Sequence, residues 1–141
     1  MIDGIRSLPA GAEIRGIPVV HDPQTQDVAH AAGIWPLKRI VVGSGWFALD
    51  APMQAAVLMH EVYHCRALHM EIRWLLLPLC WTKWAQNIGR QQELDADAYA
   101  AKEGYGKELL HFVMLHPLAH APFHPSPFER MNNLVKLGAA S

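Results

Sequence analysis

Cysteine is scarce in this sequence, which has only Cys65 and Cys80 among its 141 residues. Two cysteines do not make a disulfide framework, and a reducing compartment fits this usage. Apolar residues make up 51% of the chain and charged residues 18%, which excludes a disordered chain. The length predicts a single domain over 1–141, large enough to bury roughly two-thirds of its unfolded surface.

An excess of charge of one sign is also lacking. The formal net charge is −1 at pH 7, and Lys and Arg are scattered along the chain rather than gathered in runs. This distribution excludes the electrostatic footprint of a nucleic-acid partner. The N-terminus, MIDGIRSLPAGAEIRG, lacks the charged-then-apolar pattern of a secretion signal. We therefore expect a cytoplasmic protein.

No hydrophobic run is long enough for a membrane span. The most apolar stretch is WLLLPLCW, residues 74–81, whereas a helix needs about 20 residues to cross a bilayer core. Tryptophans stand at its edges, and tryptophan favours membrane interfaces. We expect a buried helix or a bend at Pro78. The alternative is peripheral membrane contact through 74–84.

The first half of the chain has strand patterns and then changes to helical periodicity. Apolar and β-branched residues predict strands over 12–22 and 37–42. Asp50 is a capping residue, and Pro52 suits a first helical turn. Apolar residues then recur at helical spacing, which predicts a helix over 51–70.

The second half of the chain is predicted to be helical after a local break at Gly89. Helices are predicted over the ranges 90–104, 107–116 and 128–137. The proline-rich segment 117–127 is predicted to be a loop. Strands followed by helices indicate an α+β fold.

A His-Glu-x-x-His pattern lies within the helix predicted at 51–70. His60 and His64 are four residues apart, so they share one helix face and can both bind a single Zn²⁺ ion. Glu61 lies beside the first histidine and can take a proton from water that the metal activates. Because so short a pattern can arise by chance in a chain with 9 histidines, the assignment depends on a third ligand.

Glu93 is the better of two candidates for that third ligand. His69 has the wrong spacing for a metzincin site and is expected to be a surface or partly buried side chain. Glu93 and Asp97 share one face of the helix predicted at 90–104. If that helix crosses the first, Glu93 can bind the metal and Asp97 can accept the free N–H of a ligating histidine. The alternative is a solvated acidic helix face, which the neighbouring alanines disfavour.

Three segments resemble, in order, motifs of the HtpX and CAAX prenyl protease (Ste24-like) family of zinc metallopeptidases. They are AVLMHEVYH, ELDADAYAAKEGY and HPSPFERMNNL, and the resemblance covers about residues 38 to 137. It implies a gluzincin fold, with a small antiparallel sheet packed on an active-site helix plus three to four further helices. The catalytic core would span 36–137, after an N-terminal extension and first strand in 1–35. Strand 37–42 would be the substrate-binding edge strand.

The resemblance also implies the roles of individual residues. It makes His60, His64 and Glu93 the zinc ligands and Glu61 the catalytic base. It also places His124 and Arg130 near the active site, where hydrogen-bond donors can stabilise an oxyanion. For His124, packing of the proline-rich loop remains an alternative, and for Arg130, pairing with a carboxylate remains one.

The implied activity is zinc-dependent endopeptidase cleavage of a peptide or protein substrate. Integral-membrane members of the family carry spanning helices around these motifs, so this sequence is more similar to a minimal soluble relative, a minigluzincin. Two alternatives stay open. One is a regulatory protease of the ImmA/IrrE type that acts on one protein partner. The other is a latent, zymogen-like or non-catalytic zinc-binding domain whose cleft is plugged by a terminal segment.

Overall fold

The computed structural model describes residues 11–116 and 123–139, and in these ranges the fold is α+β as predicted. The strands are β1 Glu13–Ile14, β2 Ile17–His21, β3 Ala29–Ala32 and β4 Arg39–Val42. The α-helices are α1 Ala51–Arg66, α2 His69–Leu76, α3 Lys83–Ala100, α4 Gly106–Leu115 and α5 Pro127–Lys136. Shorter helical turns occupy Ser44–Ala48, Leu77–Leu79 and Ala101–Tyr105.

The four strands form one mixed sheet in the order β1-β2-β4-β3, so the predicted antiparallel sheet is wrong. The chain leaves β2, runs down β3 at the far edge, and returns as β4 between them. Because β4 reverses the direction of β3, it runs parallel to β2, with Val19 opposite Ile40. The strand predicted over 12–22 is a hairpin, because Arg15 and Gly16 both adopt positive φ and turn the chain.

The edge strand beside the helices is β3, and β4 is not an edge. β4 corresponds to the predicted strand 37–42, but it pairs with β2 on one side and β3 on the other. Its residues Ile40 and Val42 are fully buried, as expected of a central strand. β3 reads AHAA, with no β-branched residue, so local propensity gave no signal for it.

Helix α1 begins as predicted and ends earlier than predicted. The Asp50 carboxylate accepts a hydrogen bond from the Met53 N–H at 2.9 Å, which caps the first turn. The helix ends at Arg66 because Leu68 adopts a left-handed conformation with φ 58°. The chain then starts α2 in a new direction at His69, so the predicted helix over 51–70 is two helices.

Helix α3 passes through Gly89 without interruption, so the predicted break there is wrong. It starts at Lys83, where the Thr82 hydroxyl accepts from the Ala85 N–H. A Cβ at Gly89 would lie 2.9 Å from Phe123 Cδ1, so glycine allows the turn at Phe123 to pack closely on α3. Of the loop predicted over 117–127, residues 117–122 lie outside the described part.

Helix α1 forms the centre of the fold. It packs on β3 and β4 on one side and on α3 and α4 on the other. The largest fully buried apolar side chains of this core are Trp46, Ile40, Leu109, Leu134, Val42, Val62 and Val113. Across the described residues, every helix is too short or too polar to cross a membrane.

Candidate metal centre

Two histidines of α1 meet a glutamate of α3 at the crossing of these helices. One ligand atom each from His60, His64 and Glu93 lie within 4.8 Å of one another, and all three residues are buried. The two Nε2 atoms are 3.1 Å apart. His60 Nε2 lies 3.2 Å from Glu93 Oε2, and His64 Nε2 lies 3.4 Å from Glu93 Oε1. The three predicted metal ligands are thus brought together.

This donor set suits a zinc ion. Two imidazole nitrogens and one carboxylate oxygen are the protein ligands of many catalytic zinc sites. Ligand atoms about 2.0–2.1 Å from zinc in tetrahedral geometry lie roughly 3.3 Å from one another, close to the separations found between these side chains. The Nε2 atoms converge because the Nδ1 atom of each ring has a separate partner on its other side.

Asp97 is the partner of His60, as predicted. The Nδ1 of His60 lies 2.8 Å from Asp97 Oδ1. Arg130 of α5 donates two further hydrogen bonds to the same carboxylate, at 2.7 and 2.8 Å, and both side chains are buried. Burial raises the pKa of Asp97, but the bonds from Arg130 and His60 outweigh it and lower the pKa overall. Arg130 is thus paired with a carboxylate, the alternative left open for it, and it also lines the cleft beside the cluster, near the site as predicted.

His69 is the partner of His64, and the sequence did not indicate this. The two Nδ1 atoms lie 2.8 Å apart, and His69 is only 5% exposed. The expectation of a surface or partly buried His69 is therefore wrong. The left-handed turn at Leu68 reverses the chain and places His69 against the ring of His64.

Glu61 lies next to the cluster and faces the edge strand. It is positioned by β3, since the Ala31 N–H donates to Glu61 Oε2 at 2.8 Å. Burial raises the pKa of this carboxyl group; the charge of His60 opposes the increase and that of Glu93 adds to it. The predicted base thus stands in a setting that favours its protonated form more than water does.

Two more basic side chains lie beside Glu93. Arg73 of α2 donates to Glu93 Oε1 at 2.7 Å and to Gln92 Oε1 at 2.9 Å. Sequence patterns did not indicate Arg73, because its position depends on the direction in which α2 leaves Leu68. His124 lies near the site as predicted, with Nδ1 3.8 Å from Glu93 Oε1 and without a hydrogen-bond partner among the described residues.

The charges around the cluster favour positive charge on the His60 ring, which lies between the carboxylates of Glu93 and Asp97. Burial lowers the pKa of His60, but hydrogen bonds to Asp97 and Glu93 outweigh it and raise the pKa to about 10. Burial lowers the pKa of His64 to about 4, so that ring is neutral at neutral pH. Burial raises the pKa of Glu93, yet the histidines around it hold the pKa well below its ordinary value. Two ionised carboxylates therefore stabilise positive charge between them.

The cluster opens into a cleft of about 590 Å³. The segment 26–31, including most of β3, lines one side, and Leu109 and Phe112 of α4 add an apolar part. Glu61, Arg73 and His124 also line it. Comparisons with family models, with curated proteins and with solved structures give no match.

Proposed function

We propose that this protein is a zinc-dependent endopeptidase of the gluzincin type and a minimal member of the HtpX and CAAX prenyl protease family. One observation carries the proposal: His60, His64 and Glu93 converge within 4.8 Å beside a cleft that a second glutamate, Glu61, also lines. Three protein ligands that open into a cleft are typical of a catalytic zinc site, and Glu61 adds the proton acceptor that hydrolysis needs.

His60, His64 and Glu93 would hold the zinc ion, with Asp97 and His69 orienting the two imidazoles. A zinc ion held there supplies Lewis acidity and lowers the pKa of water to about 7. Asp97 and His69 matter because a hydrogen bond at Nδ1 fixes the orientation of each imidazole ring and directs its Nε2 lone pair. Arg130 acts through Asp97 and is a positioning residue in this proposal.

Glu61 is the general base. Its carboxylate faces the cleft beside the ligand cluster, and the Ala31 N–H holds it in place. Burial raises its pKa, which makes it a better proton acceptor than an exposed glutamate. Glu61 takes a proton from the attacking water and passes it to the amide nitrogen of the leaving group.

The peptide substrate binds along β3. The Ala31 N–H points away from β4, toward the cleft and Glu61, and thus marks an edge that β4 does not pair. An extended peptide can add to such an edge through main-chain hydrogen bonds. His124 lines the same cleft with an unpartnered Nδ1, and it is the candidate donor to the oxyanion that forms at the scissile carbonyl.

The test distinguishes zinc binding from peptidase activity. Glu61→Gln should bind zinc as wild type does and lose about 10²- to 10⁴-fold of its peptidase activity. Glu103→Gln, which removes an exposed carboxylate paired with Arg15, is the control and should keep full activity. Zinc is measured by atomic absorption, and cleavage is measured on casein and on a peptide library.

Three results would contradict the proposal. Wild-type protein that binds no zinc would remove the metal site, and full activity in Glu61→Gln would remove the base. Zinc binding without cleavage of casein or peptides would instead favour the regulatory protease that acts on one partner, or the latent domain. Cleavage of one partner protein alone would separate those two.

A further inference from the structure

Four of the five tryptophans are largely exposed. Trp35 is 75% exposed, Trp74 64%, Trp81 76% and Trp84 60%, whereas Trp46 is in the core. Exposed leucines accompany them. We call this set the tryptophan surface, and its members are Trp35, Leu37, Trp74, Leu75, Leu77, Leu79, Trp81 and Trp84.

The two segments that make up the tryptophan surface adjoin each other. The Trp35 N–H donates to Glu71 Oε1 of α2 at 2.9 Å, and Lys38 Nζ lies 2.8 Å from the same oxygen. Trp74 and Leu75 follow Glu71 by three and four residues, so they lie one turn further along the same side of α2. The loop at Trp35 and helix α2 therefore present neighbouring apolar side chains.

The tryptophan surface contributes little to the core. His69 is the one buried residue of α2, and the turn Leu77–Leu79 buries none. The consecutive residues 77–81 are all exposed, so this turn projects from the molecule. An apolar segment that projects into water in this way marks an interaction site.

The shape and charge of this region favour a lipid surface over a protein partner. A flat partner can cover one side of a projecting turn, whereas lipid headgroups and acyl chains surround an inserted one. Tryptophan is enriched at membrane interfaces, where its ring is apolar and its N–H is polar. Residues 66–90 contain four basic side chains and one acidic side chain, Glu71, although the whole chain has a net charge of −1. Of the four, Arg73 is paired with Glu93, whereas Lys83 lies between Trp81 and Trp84 in the sequence.

We propose that the tryptophan surface docks this protein on membranes that contain anionic phospholipid, with the turn at 77–81 inserted among the headgroups. Helix α2 also carries Met70 and Arg73, which line the cleft. Docking therefore places the cleft beside the membrane surface. The proposal does not depend on the proposed peptidase activity.

Cys80 provides a probe at the tip of the turn. It is exposed and free, whereas Cys65 is buried, so a thiol-reactive environment-sensitive fluorophore labels Cys80 selectively. The labelled full chain is mixed with phosphatidylcholine vesicles, with or without phosphatidylglycerol. Vesicles containing phosphatidylglycerol should shift the emission to the blue, and nitroxide-labelled lipid should quench it. Pure phosphatidylcholine should bind more weakly.

Variants assign the binding to particular residues. Trp74→Ala combined with Trp81→Ala should weaken partitioning by about tenfold or more, because two large apolar groups no longer insert. Lys83→Gln should weaken binding to anionic vesicles by about fivefold and leave binding to phosphatidylcholine unchanged. Phe128→Ala removes an exposed aromatic of α5 outside this surface and should change neither. Circular dichroism and thermal unfolding verify that each variant folds.

Two outcomes would overturn the proposal. Emission that is unchanged by either vesicle type would show that the turn does not enter lipid. A doubling of mass in light scattering that the tryptophan variants abolish, without vesicle binding, would assign the surface to a second copy of this chain.

Discussion

At the scale of single residues, His69 has the most specific inferred role. Burial lowers its pKa to about 4, so its ring is neutral and can accept a hydrogen bond from the Nδ1–H of His64. With that proton fixed on Nδ1, the Nε2 lone pair of His64 points toward His60 and Glu93.

His69→Leu should therefore weaken zinc binding by about 10- to 100-fold. His69→Asn places an amide oxygen near the lost Nδ1 and should stay within a few-fold of wild type. His111→Leu, at an exposed histidine of α4, is the control. Zinc affinity is measured by competition with a chromophoric chelator, and equal affinity for all four proteins would show that His69 does not orient His64.

Glu71 is the residue whose titration links the Trp35 loop to α2. Burial raises its pKa, but hydrogen bonds from Lys38 and the Trp35 N–H outweigh it and lower the pKa below the ordinary 4.5. Because the pKa of Glu71 is depressed in the folded state, its carboxylate stabilises the fold above pH 4.5. That stabilisation is lost as the pH falls through the folded-state pKa.

Glu71→Gln should therefore be less stable than wild type at neutral pH, by up to about 1 kcal/mol. The difference should shrink toward zero as the pH falls below 4.5, where the wild-type carboxylate becomes protonated. Urea unfolding at a series of pH values gives both stabilities. A difference that does not vary with pH would mean that the charge of Glu71 contributes nothing.

Residue patterns predicted much of the candidate site but not the partners that depend on chain reversal. His60, His64, Glu93 and Asp97 follow from helical spacing, since residues four apart share a face whatever the rest of the fold does. His69 could not be placed in this way, because its contact depends on the left-handed conformation of Leu68, a non-glycine residue.

At the scale of elements, the helices were easier to predict than the sheet. Capping residues and apolar periodicity mark α1 and α5, the latter with a capping box at Ser126 and Glu129. The pairing of β4 with both β2 and β3 is set by contacts between distant residues, and β3 consists of alanine and histidine. Local propensity carries no information about such pairing.

Gly89 shows how packing between elements can outweigh helix propensity. Alanine at this position of α3 would gain about 1 kcal/mol in propensity. Its Cβ would approach Phe123 to 2.9 Å at Cδ1 and 3.2 Å at the carbonyl oxygen, so the turn that carries His124 would have to move. Overpacking of this kind costs about 1–3 kcal/mol.

We therefore expect Gly89→Ala to lower the free energy of unfolding by up to about 2 kcal/mol. Asn87→Ala, at an exposed position of the same helix, should leave stability unchanged or raise it. Chemical denaturation compares the two variants with wild type. A more stable Gly89→Ala protein would show that the Phe123 turn shifts without cost.

At the scale of the whole molecule, the candidate metal centre joins elements that are distant in sequence. Its histidines come from α1, which packs on the sheet, and its glutamate comes from α3. Arg130 extends the connection to α5 through Asp97. Residues 13–32, which fall within the predicted N-terminal extension, supply β1, β2 and β3. If an N-terminal segment plugs the cleft of a latent protein, removing that segment should restore activity. The deletion should stop before Glu13, so that the sheet is kept.

A ligand that binds only this assembled arrangement should stabilise the entire fold. Zinc at about 100 times its dissociation constant should add about 2.7 kcal/mol to the free energy of unfolding. For a chain of this length, that corresponds to a rise in Tm of roughly 9 °C. Calorimetry with and without zinc measures the shift, and a chelator should reverse it. Glu93→Gln should abolish the shift, whereas Asp95→Asn, two residues away and hydrogen-bonded to Gln91, should retain it. An equal shift in both variants would place the bound zinc elsewhere.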